Sequence, residues 1–433
     1  VPIAFIIAIA IGTLLLMVPG ATRAPGGAPF LTALFTSASA VCVTGLAVVD
    51  TPTYWSGLGQ VMITVLVQVG GFGIVTGATL LTMLISDRMG LRTRLLARAE
   101  DQSLGLGNVR GVLVRVAATM LIFESIVAVF VAARLWLSYD VPFGSAVWSG
   151  IFHSVSSFNN AGFALYSDSL IGFVTDWWIC VPLTVGVLAG GIGFPVLFEL
   201  ARRARHPRRW SMHTRLTVWG SLVLTAVGFF TMLGFEWSNP RTFGPLGVVD
   251  KLLAAFVQGI MPRSGGLNSV DFLAMNTETI AVTNALMFIG GGSASTAGGI
   301  KVTTFFLLAF VIWAEVKGEP DVTVGRRRVA DAVQRQALTV ALLGVAVVAT
   351  GVLALIALTD GVAFDRALFE VISAFATVGL SMGLTPTLPA GAQLVLVVLM
   401  FVGRVGTVAV ASAIALNTRP VLYRYPEERP IVG

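Results

Sequence analysis

Apolar residues run along this chain in blocks too long and too unbroken for half-buried strands. Eight such blocks are drawn, at about 1–19, 57–85, 109–137, 177–200, 214–235, 280–315, 334–359 and 391–416, each long enough for a hydrocarbon core of about 30 Å. Between the members of each successive pair lies a shorter apolar block, near 29–42, 143–158, 249–261 and 364–376. These predict helices too short to cross a bilayer: re-entrant pore helices, or in the blander reading helices lying on the membrane surface. The pattern predicts an all-α membrane protein of eight transmembrane spans. They form four parallel membrane helix–pore helix–membrane helix repeats with pseudo-fourfold symmetry. The repeats cover 1–100, 101–209, 210–330 and 331–433, the last including a cytoplasmic tail.

Each short block ends in a glycine turn: Val43-Thr44-Gly45-Leu46, Asn160-Ala161-Gly162-Phe163, Ser264-Gly265-Gly266-Leu267 and Thr377-Val378-Gly379-Leu380. One glycine among 47 is a weak signal, but successive turn glycines lie 117, 104 and 113 residues apart, one repeat length with loop variation. Backbone that enters a bilayer and turns back is tolerated where protein buries it or where it lines a cavity. Glycine suits such a turn because it adopts backbone angles closed to other residues and takes little lateral space. Four turns converging on one axis would present rings of carbonyl oxygens able to replace a cation's water shell, with the negative ends of four helix dipoles behind them. The flanking Thr44, Ser157, Asn159, Asn160, Ser264, Asn268, Thr377 and Ser381 are expected to tie the turns to their supporting helices, although plain helix capping would explain any one of them.

The sixth block departs from the rest. As one helix, 280–315 would be about 54 Å long, and its middle reads Gly290-Gly291-Gly292-Ser293-Ala294-Ser295-Thr296-Ala297-Gly298-Gly299-Ile300-Lys301. Each glycine costs a helix about 1 kcal/mol, so the expectation is a flexible intramembrane loop over 290–301 on the cytoplasmic side of the turns. A glycine-rich packing face is the alternative. No Walker spacing accompanies the run, which argues against nucleotide binding. Arg404 lies deep in the last block, where a charge is costly unless it meets water, carbonyls or a counter-charge. It is expected to hold the broken loop across the pathway and repel cations below the turns, or else to be a packing residue between helices. Arg115, Glu124 and Glu370 read as structural pairs or water-facing groups.

Composition agrees with a bilayer: mean hydropathy is +0.87 and 12% of residues are charged, which excludes an ordinary soluble domain. The net charge of +6 sits in short loops, where it sets topology and meets lipid headgroups rather than nucleic acid. Basic residues crowd the segments between repeats: Arg88, Arg92, Arg94, Arg98 and Arg110, then Arg202, Arg203, Arg205, Arg208, Arg209 and Arg215, then Lys317, Arg326, Arg327, Arg328 and Arg335. The tail adds Arg419, Arg424 and Arg429. The positive-inside rule places these segments and both termini in the cytoplasm, so the repeats run parallel. The apolar run opening at Val1 lacks a charged leader region and a cleavage site. It is read as the first span, with some residues expected before it. Cys42, Cys180 and three scattered histidines offer no metal cluster, and no nucleophile–base pair points to an enzyme.

Together Ala40-Val41-Cys42-Val43-Thr44-Gly45-Leu46, Phe158-Asn159-Asn160-Ala161-Gly162-Phe163, the run Gly290 to Lys301 and Ala376-Thr377-Val378-Gly379-Leu380 resemble the membrane subunits of the Ktr potassium uptake system, within the Trk/Ktr/HKT superfamily of cation transporters. The resemblance covers essentially the whole chain, and eight spans favour the Ktr branch over the longer Trk subunits. It implies a potassium filter of Gly45, Gly162, Gly266 and Gly379 with Val43, Thr44, Asn160, Ala161, Ser264, Gly265, Thr377 and Val378. It also implies a gate of Gly290, Gly291, Gly292, Gly298, Gly299 and Lys301 with Arg404 as pore arginine. Serine replaces the first glycine in some sodium-transporting plant relatives, so Gly45 favours potassium. The third turn, Arg263-Ser264-Gly265-Gly266-Leu267, is the poorest match, and its extra glycine is expected to loosen that quarter.

The resemblance further implies a homodimer in a bacterial inner membrane, each protomer with its own pore. A cytosolic ring of KtrA-like regulatory subunits would bind ATP or ADP, and sodium ions (Na+) would serve as activator. The transported ion is potassium (K+). Passive channel-like permeation leads, ahead of a sodium- or proton-coupled symporter and of a non-conducting scaffold or sensor.

Overall fold

The structure, a computed structural model, describes residues 2–88, 109–325 and 327–416. Arg92, Arg94, Arg98, Arg326, Arg419, Arg424 and Arg429, used above for orientation, lie outside the described residues. The elements are helices α1 (Pro2–Leu16), α2 (Phe30–Val41), α3 (Gly57–Arg88), α4 (Val109–Ser138), α5 (Phe143–Phe158), α6 (Trp177–Ile192) and α7 (Phe194–Arg203). They continue with α8 (Met212–Glu236), α9 (Val248–Ile260), α10 (Thr277–Phe288), α11 (Val302–Lys317), α12 (Asp331–Leu358), α13 (Phe364–Phe375) and α14 (Ala390–Leu416). The all-α expectation has one small exception, a hairpin pairing Thr323–Val324 with Arg327–Arg328.

Among the described residues, α3, α4, α8 and α12 are long and apolar enough to cross a membrane, and the bent pair α6–α7 makes a fifth. Of the eight spans expected from the sequence, only four or five are therefore seen as helices that meet this criterion. Apolar α1 and the apolar part of α14 are shorter, and the sixth block is divided between α10 and α11. The large apolar side chains of α4, α8 and α12 point outward, for example Leu121, Val129, Phe230, Val345 and Leu353, as a surface bathed in lipid rather than water requires.

The fourth block, expected as one span over 177–200, is corrected: it breaks at Gly193 and turns by 103° into α7. Gly193 has φ +99°, which an L side chain avoids. Pro195 then sits in the first turn of α7, where its fixed φ and missing donor are harmless.

The four short helices α2, α5, α9 and α13 lie where the sequence put them, within one or two residues. Three of them, α2, α5 and α13, pack between the long helices on either side in sequence, and α9 packs on α8. Each also touches a helix from the preceding quarter: α5 meets α3, α9 meets α6, α13 meets α10, and α2 meets α14. The last contact joins the end of the chain to its beginning and closes the bundle into a ring.

Candidate functional site

At the end of every short helix the backbone takes the same path. Val43, Asn160, Ser264 and Thr377 have φ of 56°, 60°, 68° and 47°, and two residues later Gly45, Gly162, Gly266 and Gly379 have φ of 92°, 71°, 72° and 93°. The left-handed region costs a residue with a side chain roughly 1–2 kcal/mol, and two of these four are β-branched. Strain repeated at four equivalent places marks a site rather than an accident.

The turns meet. A Cβ on Gly45 would collide with the Ala161 carbonyl oxygen, and one on Gly162 would lie 2.8 Å from Gly266 Cα. One on Gly266 would collide with the Val378 carbonyl oxygen, and one on Gly379 with that of Thr44. The four turns thus meet in cyclic order, with no room for a side chain at any of their glycines. On one side of the ring opens a funnel of about 320 Å³, lined by all four glycines and by Leu46, Phe163, Asn268 and Ser381. Asp50 is its charged lining residue; its Oδ2 accepts from Ser167 Oγ at 2.7 Å, tying the first two quarters at the mouth.

Local hydrogen bonds hold each turn to its own helix. Thr44 N donates to Ser39 O, Ala161 N to Ser156 O and Val378 N to Ser373 O, at 2.7–2.8 Å. The side chains of the same serines act again: Ser39 Oγ accepts from Gly45 N at 3.0 Å, Ser373 Oγ from Gly379 N at 3.1 Å, and Ser156 Oγ donates to Phe163 O at 2.7 Å. These three serines were missed in the sequence, although each stands six residues before its glycine. The third quarter has Ile260 there, and Gly265 N and Gly266 N both donate to Met261 O instead. Its Gly265 packs against its own helix, where a Cβ would lie 2.8 Å from Met261 Sδ. Arg263 turns away from the ring, donating to Ser221 O, Ser221 Oγ and Thr225 Oγ1 at 3.0–3.1 Å.

A second layer of buried polar groups steadies the strands beyond the turns. His153 Nε2 accepts from Leu165 N at 3.1 Å. Glu370 accepts from Ser381 Oγ at 3.0 Å and from Thr385 Oγ1. Glu124 accepts from Asn159 Nδ2 at 3.0 Å and Gln68 Nε2 at 3.3 Å, whereas Arg115 is exposed, so these two do not form a pair. Of the flanking residues named from sequence, Asn159, Asn160, Ser264, Asn268 and Ser381 do bond through their side chains. The hydroxyls of Thr44, Ser157 and Thr377 have no partner.

On the other side of the ring lies the break between α10 and α11. Its ends are clamped, with Gly290 N donating to Ile300 O at 2.9 Å and Ile300 N to Phe288 O at 3.1 Å. Between them the chain is pinned rather than free in this conformation. Gly292 N donates to Gly191 O at 2.8 Å, Thr296 N to Gly190 O at 3.2 Å, and Phe194 N to Ala294 O at 3.2 Å. The bend after α6 is therefore the berth for the loop, a partnership that the run Gly190-Gly191-Ile192-Gly193 signalled only as another cluster of glycines. Thr296 Oγ1 donates to Asn160 Oδ1 at 2.7 Å, and Gly298 N to Ser264 Oγ at 3.0 Å. Arg404, 2% exposed, donates through Nη1 to the Thr296 carbonyl, while its Nε and Nη2 have no partner. Lys301 Nζ turns back to Ala297 O at 2.6 Å. Among the described residues no group of three or more His, Cys, Asp or Glu side chains is placed to hold a metal ion.

Known proteins agree with this architecture. The TrkH family, described as cation transport proteins, matches residues 3–419. The chain is 39% identical to the Ktr system potassium uptake protein B of Bacillus subtilis, covering 100% of this chain and 95% of that one. It is 34% identical to the potassium/sodium uptake protein NtpJ of Enterococcus hirae, over 99% and 95% of the two chains. The crystal structure of the potassium transporter TrkH from Vibrio parahaemolyticus superposes with a TM-score of 0.69 at 21% identity, covering 98% of this chain and 86% of the other; that likeness is one of fold.

Proposed function

Because the chain belongs to the TrkH family of cation transport proteins, close to the B-type membrane subunits of Ktr systems, we propose that it takes up potassium across a bacterial inner membrane through a channel-like pore. Members of the family are transporters, not enzymes. The observation that carries the reading is the closed ring of Gly45, Gly162, Gly266 and Gly379 at the ends of four short helices. A backbone that alternates in handedness turns successive carbonyls toward one side. Residues 43–45, 160–162, 264–266 and 377–379 would then surround a dehydrated potassium ion with oxygens, with four negative helix ends behind them.

In this reading α1, α3, α4, α6–α7, α8, α10–α11, α12 and α14 are the eight spans of four parallel repeats, divided as the sequence suggests, with both termini cytoplasmic. The loop 290–301 is the gate. It stands against the ring on the side away from the funnel, and Arg404 both ties it there and repels cations. Two such chains would form a dimer with two pores, bound on the cytoplasmic face to a ring of nucleotide-binding subunits. ATP, ADP and activating sodium belong to that assembly.

A sodium-coupled symporter is the second reading, favoured by the relative named as a potassium/sodium uptake protein. Ion-replacement flux on the purified protein in liposomes separates the two. The channel reading expects potassium flux down its own gradient with no sodium or proton gradient present. Flux that appears only with a sodium or proton gradient transfers the protein to the symporters, and no cation flux under any gradient leaves a scaffold or sensor.

A further inference from the structure

We infer that Ser264 is a hydrogen-bond relay through which the position of the intramembrane loop sets the potassium affinity of the fourth turn. The inference rests on the reading of the ring as filter and the loop as gate. Ser264 is fully buried and its hydroxyl has one proton to give. Oγ donates that proton to the Thr377 carbonyl at 2.9 Å and accepts from Gly298 N at 3.0 Å. Thr377 opens the fourth turn, and Gly298 belongs to the loop. The loop presses on the same turn directly, since a Cβ on Gly298 would collide with Thr377 Oγ1 and lie against Ala376 O.

The three groups form a chain in one direction: amide N–H to hydroxyl, hydroxyl to carbonyl. Each bond in such a chain polarises and strengthens the next. While the loop is docked, the Thr377 carbonyl is held by a strengthened donor and has less charge to offer a cation. Once the loop leaves, Ser264 loses the group that polarised it and the carbonyl is freer to face the pathway. Closing the gate therefore also weakens the filter. By linkage the converse holds, so potassium in the filter loosens the docked loop.

Equivalent positions in the other quarters do not do this. The Val43 side chain has no polar atom, Asn160 sends its amide nitrogen to Val187 O rather than to a filter carbonyl, and the Thr377 hydroxyl has no partner.

The test uses purified protein in liposomes and reads two quantities, maximal potassium flux and the potassium concentration giving half of it. A loop-loosening change, Arg404→Gln, is made alone and with Ser264→Ala. Alone it lowers the half-saturating concentration by up to about twofold, because the serine–carbonyl bond stays and loses only the roughly 10–30% strengthening that a neighbouring bond lends it. With Ser264→Ala it still raises flux but moves the half-saturating concentration less, by only what loss of the positive charge contributes. Ser264→Thr restores the shift, because Thr377 and Val43 show that the same backbone accepts a β-branched residue. If Ser264→Ala does not fold, Ser264→Cys, a weak donor of similar shape, is expected to give a smaller shift. A shift that persists in full without the serine hydroxyl overturns the relay and leaves the filter intact. Absence of potassium flux in the unmodified protein overturns the filter reading and the relay with it.

Discussion

Two stretches of this molecule put irregular, glycine-rich backbone at membrane depth, and they are held in opposite ways. The four turns are capped locally, each by amide bonds to the last residues of its own short helix and, in three of four, by a serine six residues earlier. The loop at 290–301 is held mostly by distant partners: Gly190 and Gly191 after the middle of the chain's second quarter, Ser264 in the third, Arg404 in the fourth. Local caps form wherever the helix forms, so the turns are as rigid as the ring. Bonds to distant partners are made or lost together when one element shifts. Of two segments with similar composition, only the second depends mainly on distant partners for its position.

The largest effect on this contrast is expected from Arg404→Gln. It removes a charged donor to the loop, an interaction of about 1.5–3 kcal/mol, and removes a positive charge from the pathway. Basal potassium flux should rise about tenfold or more, read as tracer uptake into liposomes; unchanged flux in a folded variant would show that the arginine neither holds the loop nor repels cations. The smaller effect belongs to the turns. Ser39→Ala leaves Gly45 N without its hydroxyl partner, a loss of about 1 kcal/mol, but the remaining amide bonds keep the turn. Potassium-over-sodium preference should fall only a few-fold while basal flux stays closed. A rise in flux matching that of Arg404→Gln would mean that the caps, too, work as a gate.

Much of this was legible because a bilayer limits what a sequence can say. Apolar runs give the helix edges closely, and glycine at equivalent places in four repeats gives the ring, because few residues tolerate that backbone. The break over 290–301 and the buried Arg404 stood out for the same reason, as polar or flexible residues where lipid forbids them without a partner. The partners themselves were not legible. The bend at Gly193 read as a continuation of an apolar run, since α6 and α7 share composition across it. Ser39, Ser156 and Ser373 looked like small residues in a helix, and the pairing of Glu124 with Asn159 joins elements 35 residues apart. Periodicity records which face of a helix is apolar, not which distant group meets it.

The central claim is that four turns make one filter, and the potassium-to-sodium permeability ratio of four single variants tests it most directly: Gly45→Ala, Gly162→Ala, Gly266→Ala and Gly379→Ala. Each adds one methyl group where the neighbouring quarter leaves no space, at a backbone angle that costs roughly 1–2 kcal/mol besides. The account predicts that all four lose selectivity, by about tenfold or more. A folded variant that keeps the unmodified ratio would take its quarter out of the ring and contradict the account.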